Sequence, residues 1–315
     1  MFEIFLKKLM VCIMFFVIAT AASAQEKQVL FIAGGPSHGF GSHEHLGGST
    51  LLARTINEAD IGVNATVVSG WPEDRSIFDN IDAVVIYSDG GRGHLMLDHI
   101  EEFREVMDRG VGLVNIHYAV EVPKGDGGDA MLGWMGGYFE LNWSVNPHWV
   151  LSINELPNHP ATNGVKPFEL DDEWYYHMRF QENMKNITPI ITKLPPKESL
   201  IREDGGHSNN PHVREAILLR EEPQHMAWAY ERNNGGRGFG FTGGHWHWNW
   251  GQESFHRLVA NAIIWSAGVE VPEMGISVQS VSALELAEMT DDPIPNDWDS
   301  KQIQDMLDKA NKIHD

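Results

Sequence analysis

The 315-residue chain has a single cysteine, Cys12. That excludes a disulfide-stapled scaffold and a zinc site built from thiolates. Basic residues are also scarce, with 23 Lys and Arg against 44 Asp and Glu, a formal net charge of −21. Nucleic acid and anionic lipid are polyanions that proteins approach with Lys and Arg, so neither is an expected partner. No HExxH is present, which removes the commonest metalloprotease signature. The glycine-rich stretches Gly34-Gly35, Gly90-Gly91-Arg92-Gly93 and Gly235-Gly236-Arg237-Gly238 match neither GxGxxG nor the P-loop, so no nucleotide is expected. They suit tight turns at strand ends instead.

What remains is a folded globular composition, 42% hydrophobic and 21% charged, of a length for one large or two ordinary domains. Lys7 and Lys8 precede an apolar run over 9–18, followed by small residues ending Ala22-Ser23-Ala24. This reads as a cleavable secretory signal peptide, residues 1–24, and predicts a periplasmic or secreted protein. The run is too short to span ~30 Å of hydrocarbon, so no membrane attachment is expected after cleavage. Cys12 lies inside it, leaving no thiol from Gln25 onward.

Short apolar runs at 29–33, 65–69, 83–87 and 111–116 read as buried strands, with helical patterns at 51–59 and 95–109 between them. Such alternation predicts an α/β fold with a mainly parallel sheet. Ligands then bind beyond the strand C-termini, so the loops after Ala33, Tyr87 and Ile116 should share one rim. Further on, 150–153, 187–194, 226–231 and 239–242 read as strands and 254–267 as a closing amphipathic helix. One domain over 25–268 and an acidic tail over 269–315, with a peripheral helix at 302–313, is the simplest division.

Histidine, with 16 copies, is placed where chemistry happens. His38, His43 and His45 follow the first strand, His117 ends the fourth, His148 lies in a loop, and His245 and His247 follow 239–242. In extended backbone, i and i+2 point to one side, so His245 and His247 should converge. Imidazoles from several strand ends suit Zn²⁺ or a similar divalent ion, and His38, His43, His117, His245 and His247 are the candidate ligands. Glu173, beside aromatic residues, is a candidate acid or base, with His117 and His148 as further catalytic candidates. Glu121 is a second carboxylate that could work with Glu173. The aromatic residues Tyr118, Trp143, Trp174, Trp246 and Trp248 lie in or near His-bearing loops and suit the faces of a sugar. For each of these side chains a packed or hydrogen-bonded structural role is the competing reading.

Several stretches together resemble the trehalose-utilisation (ThuA-like) family. They are Gly35-Pro36-Ser37-His38, the 112–119 segment with His117, Gly136-Gly137-Tyr138-Phe139, Asn158-His159-Pro160, Asp172-Glu173-Trp174-Tyr175, and 236–245 ending Gly244-His245. The resemblance implies a three-layer, flavodoxin-like sandwich similar to class I glutamine amidotransferases. The nucleophile elbow of those enzymes would fall at Ile116-His117-Tyr118. With no Cys after residue 12, thiolate-based glutamine hydrolysis is excluded. The family's histidines map onto His38 or His43, His117, His148 and His245, whereas His247 and the signal peptide depart from its pattern. The resemblance also implies a role in sugar metabolism, on a trehalose-like disaccharide or its 3-keto derivative. The leading expectation is a metal-assisted enzyme that removes a proton beside a keto group, leading to elimination or isomerisation. The alternatives are a non-catalytic sugar-binding protein and a metal-free glycoside hydrolase using Glu173 with Glu121.

Overall fold

The computed structural model describes residues 25–312, so the signal-peptide reading of 1–24 lies outside the described residues. Its strands are β1 (Lys27–Ala33), β2 (Val63–Ser69), β3 (Ala83–Tyr87), β4 (Gly112–Ile116), β5 (Gly137–Tyr138), β6 (His148–Ile153), β7 (Phe168–Glu173), β8 (Arg179–Phe180), β9 (Ile187–Lys193), β10 (Gln224–Glu231) and β11 (Arg237–Phe241). The α-helices are α1 (His45–Glu58), α2 (Ile100–Asp108), α3 (Asp126–Met135), α4 (Pro211–Arg214), α5 (Glu253–Ser266), α6 (Ala283–Ala287) and α7 (Ser300–Lys312).

Seven strands form one sheet in the order β2-β1-β3-β4-β11-β10-β9. Pairings from β2 through β11 are parallel, while β10 runs antiparallel to both β11 and β9. The parallel strands are apolar on both faces because both are covered. Val29 and Phe31 pack with α1 and α5 on one side, while Leu30 and Ile32 pack with α2 and α3 on the other. This is the three-layer α/β sandwich the sequence predicts. Since β1, β3, β4 and β11 are mutually parallel, the loops after Ala33, Tyr87, Ile116 and Phe241 all open on one edge.

The differences have local causes. The helix expected from residue 51 begins at His45; Gly47 and Gly48 hide its first turn from the sequence pattern, and a Cβ on Gly47 would lie 2.2 Å from the Met289 carbonyl oxygen. The helix expected over 95–109 is broken by a 3₁₀ turn at Leu97–His99. The sequence pattern does not show α3 or β7. Three glycines dilute the apolar pattern of α3, and β7 carries Asp172 at a position where its alternation calls for an apolar residue. β7 pairs antiparallel with β6 in a hairpin beside the main sheet. Tail residues Leu286, Ala287, Leu307 and Ala310 join the core on the α1/α5 side.

Buried neutral histidines make the fold acid-sensitive. His94 is 3% exposed; its Nε2–H donates to the Ala119 carbonyl at 3.0 Å and its Nδ1 accepts the Met96 N–H at 3.1 Å. A second ring proton has nowhere to go, and burial pushes the pKa down to about 4. The unfolded chain therefore takes up this proton first. Stability from His94 is complete above the ordinary histidine value and is lost as pH falls from ~6.5 towards 4, at about 1.4 kcal/mol per pH unit. His94→Gln should be less stable than wild type at pH 7.5 and close most of that gap by pH 4.5. Urea unfolding at the two values checks this, and a gap independent of pH would refute it.

Candidate metal centre

Three joints aim imidazoles into one space. His43, in the loop after β1, has φ +53, and His117, immediately after β4, has φ +56. Left-handed backbone is costly for a residue with a Cβ and is typical of functional sites whose surroundings enforce it. The third imidazole, His245, follows Gly244, whose φ of +109 only glycine adopts comfortably. The Tyr87 hydroxyl donates to the Gly244 carbonyl, and the His43 N–H donates to the His245 carbonyl at 3.0 Å.

Asp172 fixes the third joint from beneath. It is fully buried and accepts from the N–H groups of Gly244 (2.9 Å), His245 (3.0 Å) and Glu173 (2.7 Å), and from Asn249 Nδ2 (2.9 Å). Burial raises its pKa, and these hydrogen bonds oppose that rise. The neighbouring Glu173, at the end of β7, points the other way, into the histidines.

His43 Nε2 lies 3.1 Å from both His117 Nε2 and His245 Nδ1. Glu173 Oε2 lies 3.5 Å from His117 Nε2 and 3.4 Å from His245 Nδ1. All four side chains are buried, and their ligand atoms fall within 4.8 Å of one another. A tetrahedral ion with ~2.0–2.1 Å bonds has ligand–ligand edges of about 3.3 Å, close to the four distances of 3.1–3.5 Å above.

Proton placement points the same way. His43 Nδ1–H donates to Asp89 Oδ1 at 3.0 Å, and His117 Nδ1–H donates to the Thr242 carbonyl at 2.8 Å. With those hydrogens committed, the two Nε2 atoms face each other with no proton between them, an arrangement a shared cation explains. These two partners are also the outer hydrogen bonds that orient metal-binding imidazoles. Burial lowers the pKa of His43 and places that of His117 well below the ordinary histidine value, so both rings are neutral and able to ligate. Burial pushes Asp89 up, but hydrogen bonds from His43 and Ser37 outweigh it and hold the carboxyl below its usual range. The Tyr175 hydroxyl lies 3.1 Å from His117 Nε2; burial, then the charge of Glu173, keeps it a phenol.

The remaining candidates scatter. His148 is half exposed, its Nε2 4.0 Å from Glu173 Oε1, with its ring 4.8 Å from that of His245. Tyr118, 6.0 Å from the His43 ring, and Trp246, 4.6 Å from that of His245, stand at the rim, both partly buried. Exposed His38 has its ring 3.7 Å from that of His43, tilted by 35°, and with His43 and Asp89 it forms a second group whose ligand atoms lie within 4.8 Å of one another.

His247 must be corrected. The extended backbone assumed for 245–247 ends where a 3₁₀ turn, His247–Gly251, begins, so its ring is buried beside Gly47 and not with His245. Trp174 is fully buried against Phe241 and Phe255, and Trp248 packs between Phe40 and Trp298, so neither ring offers a free face to a ligand. Trp143 lies away from the histidines, under the Arg179 guanidinium at 3.5 Å and stacked with His177 at 4.4 Å. Glu121 is bound to His207 Nε2, at 2.9 and 3.0 Å. Sequence reasoning missed Asp89, Tyr175 and the buttressing role of Asp172. Asp89 had a signal, since it follows β3 on the rim that the parallel sheet predicts.

Comparison with known proteins agrees with this architecture. A solved ThuA-like protein from Bacteroides uniformis ATCC 8492 matches with 17% identity and a TM-score of 0.53, covering 79% of this chain and 94% of that one. Another, from Parabacteroides merdae ATCC 43184, matches with 16% identity and a TM-score of 0.49, covering 84% and 99%. At such identity the first likeness is one of fold alone. No curated protein sequence matches the chain. No helix among the described residues is long and apolar enough to cross a membrane. The family model for ThuA, described as trehalose utilisation, matches residues 28–266. The chain therefore belongs to the ThuA family, and with it to a carbohydrate-related function.

Proposed function

We propose that the chain is an exported enzyme acting on a trehalose-like disaccharide or its 3-keto derivative, with a divalent cation such as Zn²⁺ held by His43, His117 and His245. The observation that carries the cation is the pair of unprotonated Nε2 atoms 3.1 Å apart, with Glu173 Oε2 at the fourth corner. The donor set suits it: three imidazoles and a carboxylate are ligands for Zn²⁺ and similar ions, and no thiolate is available among the described residues. A cation held there would supply Lewis acidity to a substrate oxygen that joined these side chains as a further ligand.

The chain's own groups do the rest. A keto-sugar bound at the rim places its ring against Trp246 and Tyr118, the two candidate aromatic residues beside the histidines. The proton beside the keto group passes to the outer oxygen of Glu173, Oε1. His148, 4.0 Å from that oxygen and half exposed, relays the proton to and from water. Buried Asp172 holds the Glu173 N–H, so the base is carried on a fixed backbone. The export part of the proposal rests on the leader-like residues 1–24, and fusing 1–25 to a reporter tests it by where the reporter accumulates.

Deuterium uptake beside the carbonyl of 3-keto-trehalose, followed by NMR with zinc-loaded protein, tests the chemistry. Wild type should exchange. Glu173→Gln should slow exchange by at least ~100-fold, because the amide cannot accept the proton. Its cation affinity should fall by only ~10-fold, since three imidazoles remain. A Gln variant that exchanges as fast as wild type would remove Glu173 from the reaction, and no exchange by wild type would overturn the keto-sugar reading.

A further inference from the structure

The family match ends at residue 266, yet the chain continues, and its tail is packed against the two segments that carry His43 and His245. Glu44, directly after His43, is 3% exposed. It does not cap α1; its Oε1 accepts the Gly41 N–H at 2.8 Å and its Oε2 accepts the Asp291 N–H at 2.7 Å. One carboxylate thus ties the His43 loop to a tail residue 247 positions away.

A second tie is aromatic. Trp298 stacks on Trp248 at 5.6 Å and meets Phe40 edge-on at 5.8 Å, so the tail clamps residues from both segments. Trp248 is itself wedged over Gly41, where a Cβ would come within 2.4 Å of its ring. The two segments are joined to each other as well: the His247 N–H donates to the Gly41 carbonyl at 2.9 Å, and Ser42 bridges Trp246. A third tie comes from α7, where Asn311 Nδ2 donates to the Gly251 carbonyl at 3.0 Å and Leu307 packs on Gly251. None of these contacts involves a ligand ring.

We infer that the 289–298 stretch of the tail is a positioning element for the cation site, holding the His43 loop against the His245 turn so that their imidazoles meet at ligand spacing. His43 sits at positive φ, and a loop freed from its outer support would relax away from that conformation. Groups that hydrogen-bond directly to a ligand are ordinarily worth 10–100-fold in metal affinity, and the tail acts one step further out, through the backbone that carries His43 and His245. The tail does this work from outside the family-matched region, so a ThuA domain cut after residue 268 would have the ligands but not their clamp.

The inference rests on the proposed cation site, and the test separates the two. Co²⁺ is titrated into the untagged full-length chain and followed by its visible absorption, whose intensity reports tetrahedral geometry. Trp298→Ala and Asp291→Pro, the latter deleting the N–H that Glu44 accepts, should each weaken Co²⁺ binding at least 10-fold and reduce the tetrahedral band. Trp298→Phe, which retains an aromatic plate, should restore most of the affinity. Val63→Ala, a core truncation on distant β2, serves as the control: it should lower the urea midpoint while leaving Co²⁺ affinity unchanged. Wild-type affinity in both tail variants would overturn the inference and leave the cation site standing. No Co²⁺ binding by wild type would overturn the site itself.

Discussion

His117→Ala should deprive the chain of its cation. His117 Nε2 is close to His43, Glu173 and the Tyr175 hydroxyl, and its other nitrogen is fixed by the Thr242 carbonyl. Removing it leaves two imidazoles and a carboxylate, and zinc or cobalt affinity should drop by at least ~100-fold, beyond the loss typical of an outer hydrogen-bond partner. Turnover should fall with metal content. His38→Ala, which removes an exposed ring outside the four-ligand set, should keep full occupancy. Elemental analysis of untagged protein, with circular dichroism to confirm the fold, decides the matter. If His117→Ala keeps full occupancy, the four side chains are a packed polar cluster and not a metal centre.

Asp172→Ala should be the most destabilising single change at the site. Its carboxylate serves four buried donors, and alanine leaves the three backbone N–H groups without it and Asn249 Nδ2 with the Asp171 carbonyl alone. Each orphaned donor costs about 1–3 kcal/mol, and partial relaxation brings the expected total to about 4 kcal/mol. Asp172→Asn should recover part of this, because one oxygen still accepts while the new NH₂ faces a donor. Urea unfolding measures both. A loss below ~1 kcal/mol for alanine would mean that other groups hold the Gly244–His245 turn.

The parallel sheet was legible because β1, β3 and β4 are apolar runs bounded by glycine, a pattern that survives without tertiary information. The same pattern puts His43, Asp89 and His117 on one edge. His245 followed from the strand before it, but His247 did not, because the period-two rule holds only while the backbone stays extended and the chain turns at that residue. Asp172 and Glu173 are adjacent and chemically alike, yet one supports the backbone and the other faces the histidines. Their alternation along β7 separates them, and β7 reads poorly because its polar residues occupy buried positions. Trp174 and Trp248 show the opposite limit: an aromatic ring in a His-rich stretch packs into the core as readily as it lines a cleft, and only the neighbours decide.

The four candidate ligands come from distant parts of the chain. His43 and His117 are 74 residues apart, and His43 and His245 are 202 apart. A cation shared by them is a removable cross-link among segments that an unfolded chain keeps far from one another. It would do for this cysteine-poor protein what disulfides do for many exported ones, closing long loops, while binding only the folded form and so adding to its stability by mass action. Resistance to heat and proteolysis would then rise and fall with the free ion outside the protein, with no covalent bond made or broken.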